Sequence, residues 1–194
     1  CCVCSDRFGS RWSQWTRRRG ILDTSNVTVL ADGAKWIWEE QLNHLREADG
    51  VLDIFHAVEH IAETSRVLFG AGTDEATAWL DEGREILIRD GWTRICEFIE
   101  SSRKQVRSAA KRSSLDGLKS YLQSHADQLN YADRLANGRS IGSGQIEGAC
   151  KNLIGRRLKQ TGARWRVRRV NRMAGLCTNL YSKQWNRYWN SLST

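Results

Sequence analysis

The sequence predicts a mixed α/β fold in which helix predominates, and three observations carry that reading. Its 194 residues contain no proline, the strongest helix breaker. Apolar residues recur at helical spacing through most of residues 55–137. Near the beginning, two short apolar runs, each carrying an aspartate at or near its end, bracket a helical segment.

The first of those runs, Val27-Thr28-Val29-Leu30-Ala31, is β-branched and stops at Asp32-Gly33, which predicts a buried strand delivering Asp32 at its carboxyl end. Gly50-Val51-Leu52-Asp53-Ile54-Phe55 has the same shape. Between them Ala34 to Ala48 reads as a helix that packs through Trp36, Trp38 and Leu45. Strand, helix, strand favours a parallel pair joined by a crossover. Farther on, Ala76, Trp79, Leu80, Gly83, Ile86 and Leu87 fall on one helix face behind a Thr73 N-cap. Two more helices are expected over Trp92 to Lys111 and Leu115 to Ala136. Gly138 and Gly142-Ser143-Gly144 then break the chain before a helix with Glu147 in its first turn.

Composition narrows the function classes. With 40% hydrophobic and 27% charged residues the chain is expected to be globular rather than disordered. Its six cysteines are a clump, Cys1, Cys2 and Cys4, plus isolated Cys96, Cys150 and Cys177, without the spacing of a zinc site or a disulfide framework. A reducing compartment follows. No apolar run approaches the ~20 residues that span a bilayer, and the start lacks a signal-peptide pattern, so a cytoplasmic location, away from membranes, is expected. The chain opens at Cys1 and runs into Arg-Trp-Ser-Gln-Trp-Thr-Arg-Arg-Arg at 11 to 19, which reads as the interior of a longer protein.

Charge is unevenly spread. After Glu147 the chain has no acid, but eleven basic residues: Lys151, Arg156, Arg157, Lys159, Arg164, Arg166, Arg168, Arg169, Arg172, Lys183 and Arg187. The preceding residues carry the other 19 basic side chains against 22 acidic ones, so the net +8 resides in the tail. A cluster such as Arg164, Arg166, Arg168 and Arg169, with no acids to pair with, calls for an external polyanion. Tyr181, Trp185 and Trp189 recur every fourth residue, the spacing of a packing stripe rather than of a base-stacking platform. A lone acid beside such a surface suits phosphodiester chemistry, in which carboxylates bring divalent metal to the scissile phosphate. Asp32, Asp53 and Glu147 are the carboxylates that strand ends and a helix start would deliver.

Four stretches, in this order and spacing, resemble the bacterial insertion-sequence transposases of the acidic-triad, RNase H-like class, in particular the Kra-four group. They are Val-Leu-Ala-Asp-Gly-Ala-Lys-Trp-Ile-Trp at 29 to 38, Leu-Asp-Ile-Phe-His-Ala-Val-Glu-His at 52 to 60, Ile-Gly-Ser-Gly-Gln-Ile-Glu-Gly-Ala-Cys-Lys at 141 to 151, and Arg-Leu-Lys-Gln-Thr-Gly-Ala-Arg-Trp at 157 to 165. Three positions depart from the family pattern: Ser140 stands where Pro is usual, Phe55 where Tyr is usual, and Gln145 where the family is apolar.

The resemblance implies that Asp32 and Glu147 are the second and third triad acids and ligate the metal, and that Asp53 and His56 form the Asp-x-x-His signature that follows the second acid. His56 would contact the phosphate or orient a metal-bound water. It implies two Mg²⁺ or Mn²⁺ ions, DNA as partner (element ends and target), a homo-oligomer, and a nucleoid-associated enzyme that cleaves at the element's ends and transfers strands. Lys151, Arg156, Arg157, Lys159, Arg164, Arg166, Arg168 and Arg169 would hold the DNA backbone. The organisation would be an incomplete RNase H-like core over 1–54, a helical insertion over 55–138, and a catalytic-Glu helix with a basic tail over 139–194. Residues 1–19 would end the helix that precedes Asp32. The first acid would then lie outside this chain, which by itself is not expected to cleave DNA.

Two other readings stay open. His56-Ala-Val-Glu-His60 spells the His-x-x-Glu-His pattern of zinc proteases, two histidines one turn apart with the glutamate as base. A DNA-binding module without catalysis would need the basic tail alone.

Overall fold

Helix dominates the molecule, and a pair of parallel strands is embedded in it. The computed structural model describes residues 5–23, 26–159 and 164–191; the side chains of residues 5–10 and of Leu22, Gln145, Leu153 and Arg157 lie outside that description. Cys1, Cys2 and Cys4 of the cysteine clump, and Gln160-Thr161-Gly162-Ala163 of the last resemblance motif, fall outside the described residues. The chain divides into two units, 1–143 and 144–194.

In the first unit, helix α1 (Ser5–Arg18) precedes strand β1 (Thr28–Ala31), helix α2 (Lys35–His44) and strand β2 (Asp49–Leu52). The strands are parallel, with Thr28 opposite Asp49 and Ala31 opposite Leu52. Helix α2 stops at His44, short of the expected Ala48. Leu45 leaves the helix at φ −136° so that it and Ala48 can close with Val29 over Trp12 and Ile37. Strand β2 stops at Leu52, earlier than expected, because Asp53 becomes the N-cap of the next helix.

That helix, α3 (Ile54–Phe69), packs against α4 (Asp74–Gln105) and α5 (Ala109–Gln123). Thr73 caps α4 as expected, its Oγ1 accepting the Ala76 N–H at 3.2 Å. Midway, Gly91 has φ 67° and ψ −153°, a region essentially reserved for glycine, and the two arms fold back on each other. Trp79 Nε1 donates to Ser102 Oγ at 2.9 Å, and the Trp79 and Phe98 rings lie 5.0 Å apart. Gly83 lets Phe98 and Ile95 approach within 4 Å of where a Cβ would stand.

The second arm ends at Gln105, not Lys111, where Val106 turns extended and packs against the core. The single helix expected over Leu115 to Ala136 is interrupted. His125 leaves helical geometry, a 3-10 turn covers Ala126–Gln128, and α6 follows at Tyr131–Ala136. The interruption seats Leu129 and Tyr131 in the core, where the Tyr131 hydroxyl donates to the Leu52 carbonyl at 2.8 Å. The core joins β2 to the helices through Val51, Leu52, Ile61, Leu87, Ile95, Ile99, Leu115 and Leu122. Each side chain of this size contributes about 1.5–3 kcal/mol on full burial.

The second unit begins with α7 (Gly144–Cys150), which runs through a π-helical turn at Lys151–Gly155 into the short α8 (Arg156–Leu158). Then come α9 (Val167–Tyr181) and α10 (Trp185–Asn190). The four-residue aromatic spacing does not make one stripe. Lys183 adopts φ 58° and ends the helix between Tyr181 and Trp185, and Tyr181, Trp185 and Trp189 are exposed. No helix among the described residues is long and apolar enough to cross a membrane.

Candidate active site and nucleic-acid surface

Parallel pairing sends both strands out at one edge, so Asp32 and Asp53, the residues after the paired Ala31 and Leu52, emerge side by side. Their surroundings differ. Asp32 is exposed, and its Oδ1 accepts the Ala34 N–H at 3.2 Å, an Asx-type turn. Gly33 between them needs φ 77°. A Cβ there would stand 2.9 Å from the Tyr121 hydroxyl and 3.1 Å from His125 Nε2.

Asp53 is 1% exposed. One carboxylate oxygen accepts the Phe55 N–H at 2.9 Å, capping α3, and the other accepts the Ser143 N–H at 3.1 Å. The Ile54 N–H bonds the Ile141 carbonyl at 3.0 Å, so the segment 141–143 is laced to the start of α3. Asp53 thus occupies both oxygens with backbone donors. His56, two residues into the helix, turns outward instead, with Nδ1 3.5 Å from Glu59. The two members of the Asp-x-x-His pattern face different surroundings.

His60 behaves as a packing residue. Its ring centroid lies 3.8 Å from that of Tyr121, and its Nδ1 faces Glu63 at 3.9 Å. On the far side Tyr121 meets the His125 ring at 4.9 Å, and His125 reaches Gly33 O at 3.2 Å and Tyr121 O at 2.9 Å. Burial first, then the Asp32 and Asp53 carboxylates, push the Tyr121 phenol up to about 12. Tyr131 is raised further by burial, with Tyr121 and Asp53 adding to it. Nothing local in the sequence marks Tyr121 and His125: they reach the Asp32 turn from the last turn of α5 and the residues just after it. Among the described residues, no group of three or more His, Cys, Asp or Glu side chains is placed to hold a metal.

In the second unit Glu147 sits in the first turn of α7, exposed, and the π-helical turn follows it. Such turns recur at functional sites. Lys151, Arg156 and Lys159 are exposed. Arg157 belongs to α8, but its side chain is outside the described residues. Arg164 and Arg166 lead into α9, and Arg168 and Arg169 occupy its first turn; all four are exposed. Along α9, Val170, Met173, Ala174 and Cys177 form the inner stripe, Arg168 and Arg172 lie on the opposite face, and Arg169 stands at the flank. Cations at a helix N-terminus oppose the macrodipole at about 0.3–1 kcal/mol each. A bound anion relieves that cost and the mutual repulsion together. Comparison of the chain with known protein families, with curated proteins and with solved structures finds no match.

Proposed function

We propose that these residues belong to an RNase H-like transposase catalytic domain, with DNA as the substrate. The observation that carries the reading is the shared carboxyl edge of β1 and β2. There Asp32 is presented to solvent, while Asp53 is buried and fastens residues 141–143 of the third resemblance motif. Asp32 and Glu147 serve as the acids, and the arginines around the start of α9 grip the phosphates.

A metal pair held in such an enzyme would supply activation of the attacking oxygen and stabilisation of the leaving one. By the resemblance, Asp32 and Glu147 would be its ligands from these residues, and Asp53 engages two backbone donors. The reading tested on this chain is DNA binding. His56 and His60, turned to Glu59 and Glu63, offer nothing that favours zinc proteolysis.

The test is duplex-DNA affinity against salt. If Arg164, Arg166, Arg168 and Arg169 each meet a phosphate, they contribute a slope of about −3.6 in log K against log salt, so affinity falls roughly 100-fold between 50 and 200 mM. Replacing all four by Ala should remove that slope; a slope unchanged by the replacement overturns the assignment. In any longer, DNA-cleaving protein that contains these residues, Glu147→Gln should abolish cleavage and spare binding. Persistent cleavage would refute the role given to Glu147.

A further inference from the structure

The first helix carries a surface that the basic tail does not explain. Helix α1 is oriented by its inner face: Trp12 packs against Val29, Leu45 and Ala48, and Thr16 is 2% exposed with its hydroxyl bonded back to the Trp12 and Ser13 carbonyls. Burying that face forces Arg11, Trp15 and Arg18, at positions i, i+4 and i+7, onto the outer one. Trp15 is 53% exposed there, and the Arg19 guanidinium sits over its ring, 5.6 Å from the centroid. Arg11, Trp12, Gln14, Trp15 and Arg18, all of this one helix, line an open groove there. Residues 7–22 contain no acid and five arginines.

We infer that this face binds single-stranded polynucleotide, with Trp15 stacked on an unpaired base and Arg11, Arg18 and Arg19 on the phosphates. An aromatic ring set among arginines is the arrangement by which proteins hold unpaired strands. Along the axis Arg11 and Arg18 are about 10.5 Å apart at 1.5 Å per residue. A strand laid along the helix can therefore meet both of them. A duplex hides its base faces and gains nothing from Trp15. The inference is independent of the tail assignment, and the experiment keeps the two apart.

The full chain is used with Arg164, Arg166, Arg168 and Arg169 replaced by Ala, and binding of (dT)20, (rU)20 and a 20-base-pair duplex is measured by fluorescence anisotropy. Single-strand binding should survive in this background. Adding Trp15→Ala should weaken it about 5- to 150-fold, the range for one stacked base, whereas Trp15→Phe should retain most of it. Arg11, Arg18 and Arg19 replaced together by Ala should reduce the salt slope by about 2. The relative affinities of (dT)20 and (rU)20 identify the natural strand. Loss of all single-strand binding in the tail variant overturns the inference, as does affinity indifferent to Trp15→Ala. Competition by polyglutamate as strong as by (dT)20 would assign the face to an acidic protein segment and equally overturn it. Because Trp15 is on the surface, an unchanged far-ultraviolet circular dichroism spectrum verifies that each variant is folded.

Discussion

Replacing Asp53 by Ala separates a bracket from a metal ligand. The carboxylate is buried and accepts two backbone N–H groups, Phe55 at 2.9 Å and Ser143 at 3.1 Å. Hydrogen bonds to a charged acceptor are worth about 1.5–3 kcal/mol each, and a buried N–H left without a partner costs about 1–3 kcal/mol. Loss of a helix N-cap alone costs about 0.5–2 kcal/mol. These overlap, since the Phe55 bond is the cap, so Asp53→Ala should destabilise the protein by about 2–4 kcal/mol. Asp53→Asn keeps one acceptor for Phe55 but turns an NH₂ towards the Ser143 N–H, and should cost about 1–2 kcal/mol. Urea unfolding measures both, and amide exchange at Ser143 should accelerate in each. The same losses are expected in EDTA and in Mg²⁺, because the energy resides in backbone bonds. A destabilisation under 0.5 kcal/mol for Ala, or one that disappears when metal is removed, would refute the bracket.

Two further outcomes test the frame around that site. Gly91→Ala should destabilise by about 1–3 kcal/mol with an unchanged urea m value; a Cβ there meets nothing nearer than the Leu129 carbonyl at 3.5 Å, so the cost is backbone strain alone. A neutral result would mean that the fold-back does not depend on the conformation of Gly91. Ultraviolet titration should show the Tyr121 phenol ionising at about 12 and Asp32→Asn should move it downward, since Asp32 is one of the charges that raise it. Because the folded-state value lies above the unfolded one, near 10, Tyr121 contributes stability below pH 10 that is lost as pH rises towards 12. A titration unmoved by Asp32→Asn would separate Tyr121 from the acid edge.

What could be read in advance follows the range of the forces. The strand pair was legible because Val29, Leu30 and Ala31, and then Val51 and Leu52, are local apolar runs, and the Thr73 cap because its partner Ala76 is three residues away. A break before Trp92 was legible as well, but not the fold-back of the arms, which depends on Trp79 meeting Phe98 and Ser102. Asp32 and Asp53 look alike in sequence, each closing an apolar run. What distinguishes them is Ser143, 90 residues from Asp53, which withdraws one carboxylate and leaves the other exposed. Tyr121 and His125 are silent for the same reason: His125 finds the Gly33 carbonyl across 92 residues.

The placement of Asp53 also explains why an aspartate suits that position without metal. A carboxylate at the start of a 16-residue helix is favoured by the macrodipole as well as by its hydrogen bonds, so burial needs no cationic partner. Its second oxygen is then free to hold the Ser143 N–H, and Gly142 comes close enough that a Cβ there would stand 2.9 Å from the Phe55 ring. Phe55 itself is pushed outward, 59% exposed, beside the outward-facing His56. One buried acid therefore fixes three things: where β2 ends, how α3 begins, and the path of the chain up to Ser143. Substitution at Asp53 should for that reason perturb residues 140–143 and the first turn of α3 together, whereas substitution at the exposed Asp32 should leave both unchanged.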